Sequence, residues 1–404
     1  MAESQLPLEG IRVVEFVHMV MGPTCGLVLA DLGATVVKVE PVDGDHTRKL
    51  VASGAGFFPT YNRNKMSLAV NLKSPEGREV ARKLAVAADV LIENFKPGGL
   101  EALGFGYEGL ARENPRLIYC ALKGFLDGPY EHRTALDEVA QMMGGLAYMT
   151  GPTGQPLRAG ASVNDVMGGV FGAIAILAAL QERVRTGRGQ LVKSALFENN
   201  AFLVGQHMLE GFVTGQEVKP MPERVRAWAI YDVFTAADGG QVFVGVVTDT
   251  QWRTFCQAFG LRELGADQTL ATNPERVRAR SRIIPVVSAA FGRLTKAELM
   301  ARCEALNLPF APISKPADLF DDPHLNAAGG LAEVTLANGV RTKVPGLPIM
   351  MDGRRFGTRL DLPEVGRHTR ELLGGLGYTP EQIDSLCAAG VVGEGERPAK
   401  ANKG

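Results

Sequence analysis

The first third of the chain alternates short apolar runs with longer segments of helical periodicity. Strands are predicted for five runs rich in β-branched and aliphatic residues: IRVVEF, TVVKVE, LAVNL, DVLIENF and RLIYCALKG. Helices are predicted for GPTCGLVLADLGA, for PEGREVARKLAVAA behind the N-cap Ser74, and for YEGLARENP. Strands that alternate with helical segments indicate βαβ units, so the predicted fold class is α/β with a parallel sheet.

The rest of the chain changes pattern twice. LVKSALF predicts a strand that leads into a helix, and a proline-containing, charged stretch at 215–227 predicts a linker or loop. A hairpin is predicted at 231–247, with its turn at Asp238-Gly239-Gly240. Because 404 residues exceed one ordinary core, we predict two domains. The boundaries are a large domain over 1–205, a linker over 206–224, a smaller α+β domain over 225–325, and a segment over 326–404 that returns to the large domain and ends in a frayed tail.

Composition excludes several classes of protein. The formal net charge is −1, without the basic excess that indicates binding to nucleic acid or to an anionic membrane. The five cysteines are scattered and form no CxxC pair, so neither a disulfide framework nor a metal site is expected, and a reducing cytoplasm fits. No signal peptide is expected, because MAESQLPLEG has two acids and no apolar core. The longest apolar stretch, 166–180, is too short to span a bilayer.

In a parallel sheet the ligand binds beyond the carboxyl ends of the strands, so the loops there are the places to search. These loops are 17–23, 40–48 and 93–98. The first loop lacks the GxGxxG fingerprint of dinucleotide sites, and the chain has no Walker A, HExxH or GxSxG motif. Glu40 is therefore interpreted as a strand-end charge.

One carboxylate, Asp165, lies at the start of the long apolar run in GASVNDVMGGVFGAIAILAAL. It fits a capping box, with Ser162 as the N-cap and Asp165 three residues further on. The alternative is a catalytic acid, and the two roles are compatible. Pattern alone favours the cap.

Segments along nearly the whole chain resemble the class III CoA-transferases, a family that includes formyl-CoA and carnitine CoA-transferases and the α-methylacyl-CoA racemases. In chain order they are LPLEGIRVVEF, MGPTCGLVLADLGATVVKVEP, YNRNKMSLAVNLKSPEGR, DVLIENFKPGGLEALGFGYEGL, NPRLIYCALKGF, DEVAQMMGGLAYMTG, RTGRGQLVKSALFE, DDPHL and VGRHTRELLGGLGY. The resemblance implies a Rossmann-like large domain that binds CoA, a smaller domain, and two chains interlocked as a homodimer. It also implies an acyl-CoA and a carboxylic acid as substrates, and no metal.

The resemblance assigns the role of nucleophile to Asp165. In the transferases an aspartate follows the segment matched by DEVAQMMGGLAYMTG and heads a glycine-containing apolar helix. Such a carboxylate attacks the donor thioester, and an aspartyl-CoA thioester then passes CoA to the acceptor acid. We expect Asp165 to be ionised, since an unperturbed aspartate has a pKa of about 3.9 and a helix N-terminus favours the anion. Gly168 and Gly169, one turn further on, would leave room for an acyl group.

Asp137 is the second acid, at a position where the transferases carry an acid near the active site. It would orient the substrate or Asp165, and the alternative is a helix N-terminal charge, followed by Glu138. The racemases place a histidine directly before this acid, where this chain has Leu136. Because leucine cannot exchange a proton, racemase or isomerase activity is the less favoured alternative. A non-catalytic CoA-binding protein is another, and the presence of Asp165 argues against it.

Several positions match the CoA contacts of the family. They are His18 and Met19 at the thiol end of CoA, then Lys65, Asn94 and Phe95, with Arg48 and Lys96 as further candidates for the phosphates. A lysine offers a point charge to a phosphate, and a phenyl ring can pack against pantetheine or adenine. The alternatives are a solvated lysine and a core phenylalanine.

Other positions depart from the formyl-CoA transferase pattern. The glutamine of its first loop is Val20 here, the arginine after its second strand is Pro41, and PMPERVRAW replaces its glycine-rich loop. Oxalate chemistry is therefore not expected. We hypothesise that Arg224 or Arg226, in the replacement segment, binds the distal carboxylate of a dicarboxylic acid, with succinyl-CoA as donor. The alternative is a solvated charged linker.

Overall fold

A computed structural model describes residues 6–224 and 226–395, which form two compact units. The large unit comprises the chain up to Pro222 and from Pro323 onward, and the small unit comprises Glu223–Asp322. The N-terminus that was expected to lack a signal peptide and the predicted frayed tail lie partly outside the described residues.

The strands and helices predicted for the first third of the chain are present, with ends that differ by a few residues. The strands are β1 (Arg12–Phe16), β2 (Thr35–Glu40), β3 (Lys65–Val70), β4 (Val90–Glu93), β5 (Ile118–Lys123), β6 (Leu191–Ala195), β7 (Ile230–Thr235), β8 (Gln241–Val246), β9 (Phe310–Pro312), β10 (Leu331–Thr335), β11 (Arg341–Pro345) and β12 (Val392–Gly393). The α-helices are α1 (Met21–Asp31), α2 (Phe57–Tyr61), α3 (Pro75–Val86), α4 (Tyr107–Glu113), α5 (Asp137–Met143), α6 (Leu146–Thr150), α7 (Val163–Thr186), α8 (Leu196–Thr214), α9 (Asp249–Ala258), α10 (Arg262–Ala266), α11 (Asn273–Arg278), α12 (Arg280–Phe291), α13 (Lys296–Ala305), α14 (Pro323–Ala327), α15 (Thr369–Gly375) and α16 (Pro380–Ala388). Short 3₁₀ turns lie at His46–Lys49, Ala52–Gly54, Glu101–Leu103, Gln268–Leu270 and Pro316–Phe320.

The central sheet of the large unit has seven strands in the order β12-β3-β2-β1-β4-β5-β6. Strands β1 to β6 run parallel, and the short β12 pairs antiparallel with β3. In the register, Val14 of β1 lies between Val37 of β2 and Leu91 of β4. The predicted α/β class with a mostly parallel sheet is confirmed.

Both faces of this sheet are covered by helices. Val13 packs into an apolar cluster that includes α1 and α7, whereas its neighbour Val14 packs into a second cluster that includes α3 and α4. Strands that are buried on both faces read as continuous apolar runs. That is why the β-branched runs of the first third identified them.

The longest of the described helices is α7, and it extends beyond both ends of the apolar stretch 166–180. It has 24 residues and, by length and composition only, could cross a membrane, so the expectation that this segment is too short was wrong. One such helix is weak evidence for a membrane span, because the core helix of a soluble protein passes the same test. Here α7 packs against α1 and β5 in the large unit.

Residues 206–214 were predicted as the start of a linker, but they continue α8. The segment QHMLEGFVT contains no proline, and the helix ends only at Gly215, whose φ of +65° is the left-handed conformation that commonly closes a helix. The prediction was wrong here because the start of the linker was placed before the charged and proline-containing stretch, at a point where α8 still continues.

The small unit has its own sheet and core. β7, β8 and β9 form an antiparallel sheet, and the β7–β8 hairpin turns through the predicted Asp238-Gly239-Gly240. Its apolar cluster includes Trp252, Phe255 and Phe291.

Candidate active site

The strand order of the central sheet reverses between β1 and β4. In doubly wound sheets a ligand binds at such a reversal, because the loops that follow the two strands diverge there. The loop after β1 carries His18 and Met19, and the loop after β4 carries Asn94, Phe95 and Lys96. The topology therefore brings these five predicted CoA contacts to one place at the carboxyl edge of the sheet.

The Asn94 side chain fastens the two loops together. Its Oδ1 accepts a hydrogen bond from the backbone N–H of His18 at 3.1 Å, and its Nδ2 donates to the His18 carbonyl oxygen at 2.9 Å. The Phe95 ring stands edge-on to the His18 ring, with 6.1 Å between centroids. Asn94 thus shapes the site through the backbone, while His18 and Lys96 are exposed and Phe95 is half-buried.

Met19 adopts a left-handed backbone conformation with φ of 63°, which is uncommon for a residue other than glycine. Its N–H donates to Thr47 Oγ1 at 2.9 Å, and the ammonium group of the buried Lys38 donates to the Val17 carbonyl oxygen at 2.8 Å. Backbone strain held in place by buried partners is common at functional sites. The backbone of the loop after β1 is therefore held by hydrogen bonds at both Val17 and Met19.

Lys65 does not reach this edge as a phosphate ligand. Its side chain is fully buried and its Nζ donates to Glu15 Oε1 at 2.8 Å and to the Pro23 carbonyl oxygen at 2.9 Å. Burial lowers the pKa of Lys65 to about 8, against the opposing effect of the Glu15 carboxylate. The structure therefore corrects the CoA-contact prediction: Lys65 is one half of a buried ion pair beneath the sheet edge.

Arg48 is also committed to neighbours inside the protein. Its Nε and Nη2 bind the two oxygens of Glu40 at 2.8 and 2.7 Å, and its guanidinium carbon lies 3.8 Å from the centre of the Phe58 ring. Glu40 also accepts a hydrogen bond from the Ser67 hydroxyl at 2.6 Å. Glu40 is thus a buried acceptor, beyond the strand-end charge that was predicted, and the bidentate fork of Arg48 is not free for a phosphate.

The first turn of α7 is capped by Asp137, which begins α5. One carboxylate oxygen of Asp137, Oδ1, accepts the backbone N–H groups of Asn164 at 2.8 Å and of Asp165 at 3.3 Å. Ser162 makes no side-chain cap, so the predicted capping box of Ser162 and Asp165 does not form. A carboxylate from another helix accepts the Asp165 N–H that the Ser162 side chain would have accepted in the capping box.

The surroundings of Asp165 make its carboxyl group harder to ionise. Burial raises its pKa to about 7, the charges of Asp137 and Glu138 raise it further, and Arg158 opposes them. The expectation of a readily ionised carboxylate at a helix N-terminus was therefore wrong. Asp137 occupies the N–H groups, and it adds a negative charge beside the very group that the helix end was expected to stabilise.

The glycines after Asp165 serve helix packing. A Cβ atom on Gly169 would lie 2.5 Å from the backbone oxygen of Met21, and one on Gly168 would lie 2.4 Å from the Met21 Cε. The absence of side chains lets α7 lie directly on α1. The idea that these two glycines leave room for an acyl group is replaced by this close helix contact.

Three residues near Asp165 were not singled out from the sequence. The charge of Asp165 raises the pKa of Tyr61, after the larger effect of burial, which places the phenol near the carboxylate. Gln141 donates from Nε2 to Asp137, and Arg158 Nη2 lies 3.3 Å from Asp137 Oδ2. The three residues lie on three separate segments. In the sequence only Gln141 could have been predicted to contact Asp137, because residues four apart on a helix are neighbours.

Arg224 and Arg226, which flank a residue outside the described ranges, belong to the small unit. Arg226 Nη2 lies 3.3 Å from Asp232 Oδ1, and Arg280 binds the other oxygen of the same carboxylate. The Nε of Arg224 is buried without a hydrogen-bond partner within the described part of the chain. One carboxylate therefore faces two guanidinium groups.

Comparison with known proteins identifies the family. The model of CoA-transferase family III matches residues 8–369. The chain is 32% identical over 402 residues to succinyl-CoA:glutarate CoA-transferase of Mus musculus, covering 98% of this chain and 92% of the mouse protein. It is 33% identical over 395 residues to succinyl-CoA:mesaconate CoA-transferase of Haloarcula hispanica, covering 94% of this chain and 99% of that protein.

A solved structure shares the fold. The crystal structure of a CAIB/BAIF family protein from Brucella suis matches with a TM-score of 0.82 and 33% sequence identity, covering 92% of this chain and all of that one. The chain belongs to CoA-transferase family III, and it is a CoA-transferase whose substrates include an acyl-CoA. The resemblance stated from the sequence is confirmed.

Proposed function

We propose that the enzyme transfers CoA from succinyl-CoA to a dicarboxylic acid through a covalent intermediate on Asp165. The observation that carries the proposal is the carboxylate of Asp165 at the start of α7, mostly buried, beside a second carboxylate and one turn before the glycines that pack on Met21 of α1. The mouse and Haloarcula relatives are named for the same donor, succinyl-CoA, with glutarate and mesaconate as acceptors. Both acceptors are dicarboxylates of different shape, which supports the class of acceptor.

The reaction conserves the thioester through four displacements. An oxygen of Asp165 attacks the thioester carbon of succinyl-CoA, the C–S bond breaks, and a succinyl-aspartyl anhydride and the CoA thiolate result. The thiolate attacks the Asp165 carbonyl carbon, which releases succinate and leaves CoA on Asp165 as a thioester. The acceptor carboxylate attacks this thioester and frees the thiolate, which then takes the acceptor acyl group and restores the Asp165 carboxylate.

The raised pKa of Asp165 suits this chemistry. Attack requires the carboxylate, which is about half of the population at neutral pH when the pKa is about 7. A more basic carboxylate is also a stronger nucleophile, so the protonated fraction is offset in part by higher reactivity of the rest. We therefore expect kcat/KM to rise with pH through the pKa of Asp165 and then level off.

We place CoA across the loops after β1 and β4. His18 and Met19 would lie along the thiol end, and the half-buried Phe95 ring would pack against the pantetheine or adenine. Among the predicted phosphate contacts, Lys96 is exposed and available as a point charge. Asn94 supports both loops.

We infer that the active enzyme is an interlocked homodimer. The exposed side of α8 carries large apolar residues: Phe202, Met208, Leu209, Phe212 and Val213, with exposed fractions of 63 to 87%. An apolar patch of this kind marks a protein interaction site. We also infer a cytoplasmic location, which fits five free cysteines. Light scattering tests both points: a wild-type mass of one chain would contradict the dimer, and a Phe212→Glu variant that keeps the mass of two chains would contradict the role of the α8 surface.

We retain Arg224 and Arg226 as candidate ligands of the distal carboxylate. The pair of guanidinium groups at Asp232 supports this role, because a second carboxylate could share Arg226 and Arg280. Arg226→Ala should raise KM for a dicarboxylic acceptor and spare KM for a monocarboxylic acceptor. Equal effects on both would contradict the assignment.

The covalent intermediate has a direct test. The enzyme is incubated with succinyl-CoA and hydroxylamine, and peptide mass spectrometry is used to find an aspartyl hydroxamate at Asp165. Asp165→Asn should give neither adduct nor activity, whereas Asp127→Asn, which changes an exposed aspartate after β5, should retain both. Absence of the adduct in the wild type, with transfer proceeding, would exclude the proposed mechanism.

The acceptor is identified in a second experiment. Succinyl-CoA is offered with a panel of mono- and dicarboxylic acids, and new thioesters are detected by mass spectrometry. Incorporation of deuterium at the α-carbon of an acyl-CoA, with no new thioester, would instead indicate a racemase. Leu136, at the N-cap of α5, argues against that outcome because it has no group that titrates.

A further inference from the structure

We propose that Arg158 is a positioning residue for the transfer reaction. Its guanidinium holds the Asp137 carboxylate on the first turn of α7 and thereby sets the charge that Asp165 carries. The inference rests on the proposed role of Asp165 as nucleophile.

Two consecutive residues of the loop between α6 and α7, Arg158 and Ala159, contact α5. Arg158 Nη2 lies 3.3 Å from Asp137 Oδ2, and Arg158 Nη1 donates to Glu138 Oε1. The next residue, Ala159, donates its N–H to Gln141 Oε1 at 2.7 Å. Residues 153–158 are exposed, and the backbone N–H of Leu157 also donates to the Ala147 carbonyl oxygen at 3.0 Å, so the loop is attached to α6 as well as to α5.

The Asp137 carboxylate connects Arg158 to the reacting group. Its Oδ2 accepts from Arg158 and Gln141, while its Oδ1 accepts the N–H of Asp165. The Asp137 side chain is 3% exposed, so its charge depends on these donors rather than on water. Arg158 is the only one of them with a full positive charge, and it is one carboxylate group away from the Asp165 backbone.

The titratable groups that interact with Asp165 come from three segments. Asp137 and Glu138 on α5 are negative, Arg158 on the loop is positive, and Tyr61 on α2 is a phenol. Arg158 is the one cation among these groups, and its ion pair with Asp137 holds it beside the start of α7. The positive charge that Asp137 and Glu138 hold there lowers the pKa of Asp165 against the effect of burial and of the two carboxylates.

A simpler interpretation is that Arg158 only anchors the loop. The side chains of Arg158 and Glu138 are 38% and 49% exposed, which is typical of surface ion pairs that contribute little. The two roles predict different changes in the pH profile of kcat/KM when Arg158 is replaced. Loss of an anchor lowers activity at every pH, whereas loss of the charge moves the acidic limb of the profile.

The test compares two variants with opposite expected shifts. In Arg158→Gln the acidic limb of kcat/KM for succinyl-CoA should move to higher pH by about one pH unit, so that activity near pH 6 falls roughly tenfold. In Asp137→Asn the limb should move to lower pH, because a negative neighbour of Asp165 is lost. Shifts of opposite sign cannot come from general damage to the site.

Two further variants complete the experiment. Arg158→Lys keeps the charge but not the fork, and should give a smaller shift than Arg158→Gln. Arg185→Gln removes an exposed arginine from the far end of α7, 80% exposed in the structure, and should leave the profile in place. The hydroxylamine adduct at Asp165 is measured over the same pH range for each variant.

The outcomes separate the two proposals. If the wild type forms no adduct, the nucleophile assignment fails, and this inference fails with it. If the adduct forms and Arg158→Gln leaves the acidic limb at the wild-type position, the nucleophile assignment stands and the role of Arg158 is overturned. An adduct whose pH dependence moves upward in Arg158→Gln and downward in Asp137→Asn supports both.

Discussion

Replacement of Asp165 by asparagine should stabilise the folded enzyme, and more so as the pH rises. The pKa of Asp165 lies at about 7 in the folded chain, against an ordinary value of 3.8. Because the folded state favours the neutral acid, ionisation at Asp165 costs stability. The cost is absent below the ordinary pKa, increases as the pH rises, and is complete above about 7.

The magnitude follows from the same two pKa values. Their difference corresponds to about 4 kcal/mol at alkaline pH, and partial exposure of the side chain reduces this to roughly 2 kcal/mol. An asparagine side chain does not ionise, so the variant has no such cost at any pH. The stability gained by Asp165→Asn should therefore be small near pH 4 and reach roughly 2 kcal/mol near pH 8.

Urea denaturation at several pH values measures this gain at a fixed protein concentration, so that association does not change between samples. Glu108→Gln is the matched control, since Glu108 is an exposed acid in the first turn of α4. A gain for Asp165→Asn that stays constant from about pH 5 to pH 8 would refute the reasoning. It would mean that Asp165 is ionised as easily in the folded chain as in the unfolded one.

Other substitutions test the surroundings of the site. Lys65→Met should lower the free energy of unfolding by about 3 to 5 kcal/mol, measured by urea denaturation, because Glu15 is left charged and unpaired in the interior. Gly169→Ala should reduce the melting temperature by several degrees, seen by calorimetry, since the added Cβ would lie 2.5 Å from a backbone oxygen of α1. Asn94→Ala should raise KM for succinyl-CoA several-fold in initial-rate assays, because the loop at His18 loses both hydrogen bonds.

Local rules predicted the parts of the fold that depend on neighbours in sequence. The Ser74 side chain accepts the N–H of Gly77 at 3.0 Å, as the N-cap prediction for α3 requires. The buried strands were recognised from their apolar runs, since burial on both faces leaves no polar positions to interrupt them. The pattern also placed Asp165 in the first turn of an apolar helix, and the family resemblance added the role of nucleophile, which stays a prediction.

Contacts between distant segments were not predictable in the same way. Lys65 pairs with Glu15, fifty residues earlier, because β2 brings β1 and β3 into one sheet and the side chains meet beneath its edge. From the sequence, Lys65 had the same pattern as an exposed phosphate-binding lysine. Only its burial and its partner distinguish the two, and both are properties of the folded sheet.

The charge of Asp165 shows the same limit at the centre of the site. The pattern around Ser162 predicts a local cap, and a helix N-terminus stabilises an anion only through N–H groups that are free to point at it. Asp137, more than twenty residues earlier, takes those N–H groups and brings its own negative charge. Burial and the charge of Asp137 together outweigh the effect of the helix end. The pKa of Asp165, which the sequence pattern predicted to be low, is therefore raised, and Arg158 is the residue that limits this rise.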